Sequence, residues 1–297
     1  VFVGDQQHLV IRGSEAFVQE VTIGILGYST QPTAALHFAR YLGARDKGLP
    51  VFARMGFTPV GGDVWADRPK ILFFGGAVNR LAIQDTIQAF EQREGVEVTT
   101  VFNGCGILNG QLKLGEKPDA YQTCDVSFMK GVEDKFLSYR ITSETDIVIV
   151  TAKENPKAIH QLKDLARPGL RIGLGHEQQS TLGTLTMRLL KKNGLYEKVW
   201  KNVAATTPTA DLLVIQMRTG SLDAAIVYRA NTMKVHGELE VMAIDDPTAK
   251  AVQSVAIGKI SQYKYLVGRL LDDFRSKESR QRFERAGFRW IENEPNP

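Results

Sequence analysis

KILFFGGAVNRLAIQDTIQAFEQREGVEVTTVFNGCGILNGQL, residues 70–112, shows the same pattern twice. An apolar run is followed by a turn of small residues, and the turn leads into a stretch with helical spacing. KILFFGG (70–76) predicts a buried strand. Residues 79–93 predict a helix with Leu81, Ile83, Ile87 and Phe90 on or near one face. VEVTTVF predicts the next strand, and a second helix is expected from about 106. In this pattern Glu91 and Glu94 read as a solvated helix face.

The alternation continues outward. DAYQTCD (119–125) predicts a short strand and TDIVIVTAK (145–153) a central one. LRIGLG leads into a helix over 181–195, and LDAAIVY (222–228) and SVAIGKI supply further strands. Strands alternating with helices of 10–15 residues predict a parallel, doubly wound α/β sheet. In such sheets ligands bind beyond the carboxyl ends of the strands, where the helices begin.

Four strand-to-helix junctions are rich in small or polar residues: GGAVN (75–79), NGCGI (103–107), GHEQQSTLG (175–183) and ATTPTADL (205–212). Each would leave backbone N–H groups free at a helix start, which suits an oxyanion or carboxylate without any basic side chain. Any α/β protein needs such junctions, so the weight lies in four of them occurring in one unit.

Bulk composition narrows the classes. The chain has 297 residues, 43% hydrophobic and 24% charged, with a formal net charge of +4. Lys and Arg are scattered, so no nucleic-acid partner is expected. No apolar run approaches the roughly 18 residues that span a bilayer, so no membrane span is expected. The opening VFVGDQQHLV lacks the basic and apolar regions of a secretion signal.

The chain also repeats itself. HLVIRGSEAFVQEVTIGIL (8–26) resembles EVMAIDDPTAKAVQSVAIGKI (240–260), and VFARMGF (51–57) resembles RFERAGF (282–288). Amphipathic helix patterns lie between the members of each pair. The repeat predicts that 1–60 is the C-terminal remnant of a first copy, that 61–69 (GGDVWADRP) is a linker, and that 70–297 is a complete second copy.

From FFGGAVNRLAIQDTIQAFEQREGVEVTTVFNGCGILNGQL onward, the chain resembles the periplasmic molybdate-binding proteins of ABC importers. KPDAYQTCD, IVIVTAKENPKAIHQLKDLARPGLRIGLGHEQQSTLG, DAAIVYRAN and LLDDFRSKESRQRFERAGF follow in the family's order, covering about 68–288. The resemblance implies a type II periplasmic-binding-protein fold. It would have two lobes with parallel-rich sheets, two crossover strands, and a partial repeat at the N-terminus. Lobe 1 would take about 70–145 and 250–297, and lobe 2 about 153–245. The implied function is extracytoplasmic capture of a small anionic ligand, a molybdate- or tungstate-like oxyanion or another small anion. The expected partner is an ABC permease. No enzyme activity, cofactor or metal is expected, and one ligand per chain is.

Carried over by position, the ligand contacts would be Ala77 and Val78 in the first turn and Cys105 and Gly106 in the second. Ser180, Thr181 and Leu182 would come from the third, Thr209 from the fourth, and Tyr228 from the end of its strand. Asn103, Cys124 and His176 are expected to line the cleft. The family offers serine hydroxyls from its first two turns, where Ala77 has none and Cys105 offers only a weak thiol donor.

The residues leave other readings open. Tyr228 could be strand packing, Cys124 a small core residue, and His176 a solvated loop residue. Cys105, Cys124 and His176 could hold a transition metal, or Cys105 could be a nucleophile needing a base. The implied sheet order places the two cysteine-bearing strands on either side of 70–76. Their backbones would then be about 10 Å apart, too far for a disulfide, so two free thiols are expected at one cleft, with Cys105 the more reactive.

Overall fold

The computed structural model describes residues 2–10, 18–235 and 237–291. Residues 11–17 of the first repeat arm and 292–297 of the expected second copy lie outside the described residues. The first elements are strands β1 (Phe2–Val10) and β2 (Val18–Gly24), helices α1 (Pro32–Leu42) and α2 (Gly48–Arg54), and the short strand β3 (Thr58–Pro59). Pro32 begins α1, where its missing N–H costs nothing.

The larger unit starts with β4 (Lys70–Gly76), α3 (Arg80–Glu94), β5 (Glu97–Asn103), α4 (Cys105–Lys113), β6 (Ala120–Gln122) and α5 (Val126–Lys130). It continues with β7 (Arg140–Ala152), β8 (Ile172–Gly175), α6 (Thr181–Lys192), α7 (Tyr196–Trp200), β9 (Val203–Thr207) and α8 (Ala210–Arg218). It closes with β10 (Ala224–Tyr228), α9 (Arg229–Thr232), β11 (Leu239–Ala243), β12 (Lys250–Ile257), α10 (Lys264–Asp273), α11 (Lys277–Arg285) and β13 (Arg289–Trp290).

The main sheet runs β5-β4-β6-β12-β7-β10-β8-β9, with β11 and β13 also pairing to β7. Pairing is parallel within β5-β4-β6 and within β10-β8-β9. It turns antiparallel where β12 meets β6 and β7 and where β7 meets β10. The doubly wound expectation therefore describes each lobe but not the two strands that join them. β7 serves both lobes. Its Arg140–Asp146 half pairs with β12, and its Ile147–Thr151 stretch pairs with β10. Tyr228 pairs with Ile147, so β10 ends where the lobes meet.

Both faces of β4 are covered, which is why its sequence is almost continuously apolar. Phe73 packs in the cluster with Ile83, Ile87, Phe90 and Phe274. Phe74, pointing to the opposite face, packs with Leu108, Leu112, Tyr121 and Met129.

In the N-terminal unit, β2, α1, α2 and β3 follow one another as β12, α10, α11 and β13 do. Gly56 and Gly287 take φ of +91° and +83° at matching points. The pairing of β1 differs. Sequence register matches it to β11, yet it pairs with both β2 and β3, as β7 pairs with β12 and β13.

The segment 61–69 is tied down at Asp63 and Val64. Arg45 donates its N–H to the Asp63 carbonyl at 3.0 Å, and Val64 donates to the Gln262 carbonyl at 3.2 Å. The Asp63 carboxylate accepts from the N–H groups of Tyr265 and Leu266, at 3.0 and 2.8 Å. These are the second and third residues of α10, the donors that an N-cap side chain satisfies. Replacing Asp63 with Ala is expected to cost about 1 kcal/mol, a fall in melting temperature of about 2–4 °C in a thermal scan.

Glu94 is not part of a solvated face. Its side chain is fully buried, and three guanidinium groups surround it. Arg40, Arg93 and Arg269 approach its carboxylate to 3.2, 3.1 and 3.2 Å. Glu91 is also engaged, accepting the Val98 N–H at 2.7 Å. Both glutamates lie at the end of α3, where α1 and α10 cover the exit from the helix.

Candidate functional site

The carboxyl ends of the strands in both lobes face one another across a small, partly open space of about 10 Å³. That is room for roughly one water. One wall is Ala77 and Val78 after β4, Asn103 and Gly104 at the end of β5, and Cys124 after β6. The other wall is Ser180 and Thr181 opening α6, Pro208, Thr209 and Ala210 opening α8, and Tyr228 and Asn231 at the end of β10. No Lys, Arg or His is among these residues.

The lobes touch directly beside this space. Gly106 donates its N–H across the cleft to the Gln179 carbonyl at 3.1 Å. The approach depends on the absence of side chains on the lobe-1 side. A Cβ at Gly106 would lie 1.9 Å from the Gln178 carbonyl oxygen, and one at Gly104 would lie 2.3 Å from that of Gln179.

Two polar side-chain atoms around the cavity are buried without a hydrogen-bond partner, the Tyr228 hydroxyl and the Asn231 carbonyl oxygen, and the buried Thr181 hydroxyl has only the cysteine sulfurs beside it. Leaving such groups unpaired costs on the order of 1–3 kcal/mol each. Asn231 is oriented by its amide, which donates to Asp211 at 2.7 Å. Burial, then the neighbouring Cys124 and Cys105, push the Tyr228 phenol well above its ordinary pKa, so it stays a protonated donor. The helix starts add backbone donors. The first turns of α6 and α8 have N–H groups with no intrahelical partner, and their N-terminal ends carry partial positive charge.

The cysteines meet beneath this wall. β5 and β6 flank β4, as the implied order requires, and both thiols are free and buried. Their sulfurs nevertheless approach to 3.0 Å, and the Cys124 N–H donates to the Cys105 sulfur at 3.1 Å. Gly76 permits this. A Cβ there would lie 2.3 Å from the Cys124 sulfur and 2.9 Å from the Cys105 sulfur. With one Cβ and one sulfur on each side, such contact brings the backbones closer than the expected two strand spacings. Burial alone would push the Cys105 thiol up, but its hydrogen bonds, that of Cys124 foremost, outweigh this and lower it. The Cys105 partnership and burial push Cys124 well above the ordinary thiol range.

The structure brings together Ala77, Val78, Asn103, Cys124, Ser180, Thr181, Thr209 and Tyr228 around the cavity. Gly106 serves the contact between lobes. Cys105 is 0% exposed and does not line the cavity, its thiol lying behind Cys124 and Thr181, and Leu182, 1% exposed, faces the core. His176 does not line the cavity. Its Nδ1 accepts from the N–H groups of Gln178 and Gln179, at 3.2 and 3.3 Å, shaping its own loop. Among the described residues no group of three or more His, Cys, Asp or Glu side chains could hold a metal. Gly104, Pro208, Ala210 and Asn231 line the cavity without having been singled out in the sequence. Asn231 could have been found, because it stands three residues after Tyr228 on a helical turn and so shares its side.

A family model for bacterial extracellular solute-binding proteins matches residues 71–289. The molybdate-binding protein ModA of Escherichia coli is 22% identical over 252 residues, covering 82% of this chain and 98% of its own length. Two solved structures share the fold. The periplasmic molybdate-binding protein of Azotobacter vinelandii has a TM-score of 0.65 at 14% identity, covering 75% of this chain and 100% of its own. The sulfate-binding protein SubI of Mycobacterium tuberculosis also has a TM-score of 0.65, at 17% identity, covering 76% and 88%.

Proposed function

We propose, from the premise that this chain belongs to the bacterial extracellular solute-binding protein family, that it captures one small tetrahedral oxyanion between its lobes and delivers it to an ABC permease. The observation that carries this reading is the buried, unpartnered Tyr228 hydroxyl, with the buried Thr181 hydroxyl on the same cavity, which is walled by helix starts. Hydroxyls and backbone N–H groups bind a compact anion by hydrogen bonds alone, without the fixed charge of a lysine or arginine. The E. coli relative is named for molybdate, and the two structural neighbours for molybdate and sulfate. Both anions share this tetrahedral shape.

The ligand would be held by the Thr181 and Tyr228 hydroxyls, with Ser180, Thr209, Asn103 and Asn231 beside it. Ala77, Val78 and Gly104 would give it close access to backbone. Cys124 would form the floor. Since the space between the walls is only about 10 Å³, the lobes would part to admit the anion and close around it afterwards. The setting is extracytoplasmic, in keeping with the family, and periplasmic in a two-membrane cell. We read residues 2–60 as a second copy of the elements from β11 to β13. Among the described residues they hold no counterpart of the turns after β4 and β5, so each chain would bind one ligand.

Tyr228→Phe provides the test. It removes a hydroxyl that has no protein partner, so the ligand-free protein should melt at an unchanged or slightly higher temperature. Loss of its bond to the anion should cost about 0.5–1.5 kcal/mol, a rise in Kd of roughly 2- to 10-fold by calorimetric titration with molybdate or sulfate. An unchanged Kd would take the Tyr228 hydroxyl out of the site.

A further inference from the structure

We propose that Cys105 and Cys124 form an intramolecular disulfide in the extracytoplasmic compartment, and that this bond is a built-in covalent brace of the lobe-1 wall of the cleft. This goes beyond the proposed function and does not depend on which ligand binds.

The geometry carries the inference. The sulfurs are 3.0 Å apart, and the space they share is kept open by Gly76. Forming a bond of about 2.05 Å needs only a small further approach, which no side chain blocks. The Cys124 N–H already holds the Cys105 sulfur at 3.1 Å from one side. Cys105 is the first residue of α4, a nine-residue helix, and partial positive charge at a helix start favours the thiolate that attacks a disulfide. Cys124 borders the cavity, so an oxidant entering the opened cleft meets it first. The family is extracellular, and extracytoplasmic compartments favour disulfides.

The oxidant is a small or protein disulfide, RSSR. Cys105 first gives its proton to water; its thiolate then takes the Cys124 proton across the short contact as the Cys124 sulfur attacks RSSR. A mixed disulfide on Cys124 forms and one thiolate RS⁻ leaves. Cys105 gives its proton to that thiolate, which becomes RSH. The Cys105 thiolate then attacks the Cys124 sulfur and expels the second RS⁻, which takes a proton from water. The Cys124 thiol proton has by then passed through Cys105 to RSH, and the Cys105 proton has gone to solvent, so two protons are released and two taken up. Two thiols are oxidised to one disulfide, and RSSR is reduced to two thiols.

The bond would join the start of α4 to the end of β6 across β4. Three segments of the lobe-1 wall would then move as one body when the lobes open. It would also fix Cys124 at the cavity floor.

The test is refolding of the reduced, denatured full chain in an oxidising glutathione buffer, which removes any barrier of access. Trapping with an alkylating agent and peptide mass mapping then read the outcome. The expected result is a single cross-linked peptide pair containing Cys105 and Cys124, at least tenfold less alkylation of both, and full alkylation again after dithiothreitol. Cys105→Ser should leave Cys124 open to alkylation. Two alkylated thiols after refolding in this buffer would overturn the proposal, as would glutathione held separately on each cysteine.

Discussion

Gly106→Ala is expected to weaken oxyanion binding about 10- to 100-fold while leaving the protein as stable as before, or more so. Within its own lobe the position is a helical one, where alanine is favoured over glycine by about 0.5–1 kcal/mol. Across the cleft the added Cβ would lie 1.9 Å from the Gln178 carbonyl oxygen and 2.8 Å from two backbone atoms of Gln179. Backbone cannot yield as a flexible side chain would. The clash therefore falls on the closed arrangement of the lobes and not on either lobe alone. Overpacking of this kind costs about 1–3 kcal/mol, and every 1.4 kcal/mol is tenfold in affinity. Gly110, in the same helix with nothing within 4 Å of its would-be Cβ, is the control. Gly110→Ala should share the helix benefit and keep the affinity. Equal affinities in the two variants would mean that binding does not require the approach of Gly106 to Gln179.

Glu94→Ala is expected to destabilise the chain by about 3–5 kcal/mol, because it leaves Arg40, Arg93 and Arg269 around an uncompensated buried site. Arg40 comes from α1, Arg93 from α3 and Arg269 from α10, so the loss reaches three elements at once. A thermal scan should show a fall of about 10 °C or more. The carboxylate also predicts an acid dependence. Burial alone would raise its pKa, but the charges of Arg269 and Arg93 outweigh this, so the folded-state value is lowered. A lowered acid stabilises fully above its unfolded pKa, about 4.3. That contribution is lost as the pH falls through the folded value. Glu94→Gln should therefore flatten the acid limb of stability against pH. An unaltered acid limb would place the sensitivity on other carboxylates.

Local signals in the sequence carried much of the architecture. The alternation from KILFFGG onward placed β4, α3, β5 and α4 within a few residues of their observed ends, because apolar spacing and small-residue turns act at short range. The same turns placed Ala77, Asn103, Thr181 and Thr209 at the cavity, since helix starts are marked by the residues that begin them. Long-range geometry was harder to read. The run TDIVIVTAK announced an apolar strand but not that β7 would extend back to Arg140. Glu94 looked like one charge on a solvated helix face, because its three arginines come from α1, from the end of α3 and from α10. The sulfur contact was hidden for a related reason. Strand spacing gives the distance between backbones, and only the missing side chain at Gly76 lets two cysteines lean across the strand between them. Of the two readings left open for His176, the loop one describes its position, since its ring folds back to accept from the N–H groups of Gln178 and Gln179.

The central claim is that the two lobes close on one tetrahedral oxyanion per chain. Isothermal titration of the unmutated protein with molybdate, tungstate and sulfate measures this most directly. Saturable binding of at least one of them is expected, with a stoichiometry of one per chain. No heat of binding with any of the three, or two independent sites per chain, would contradict it.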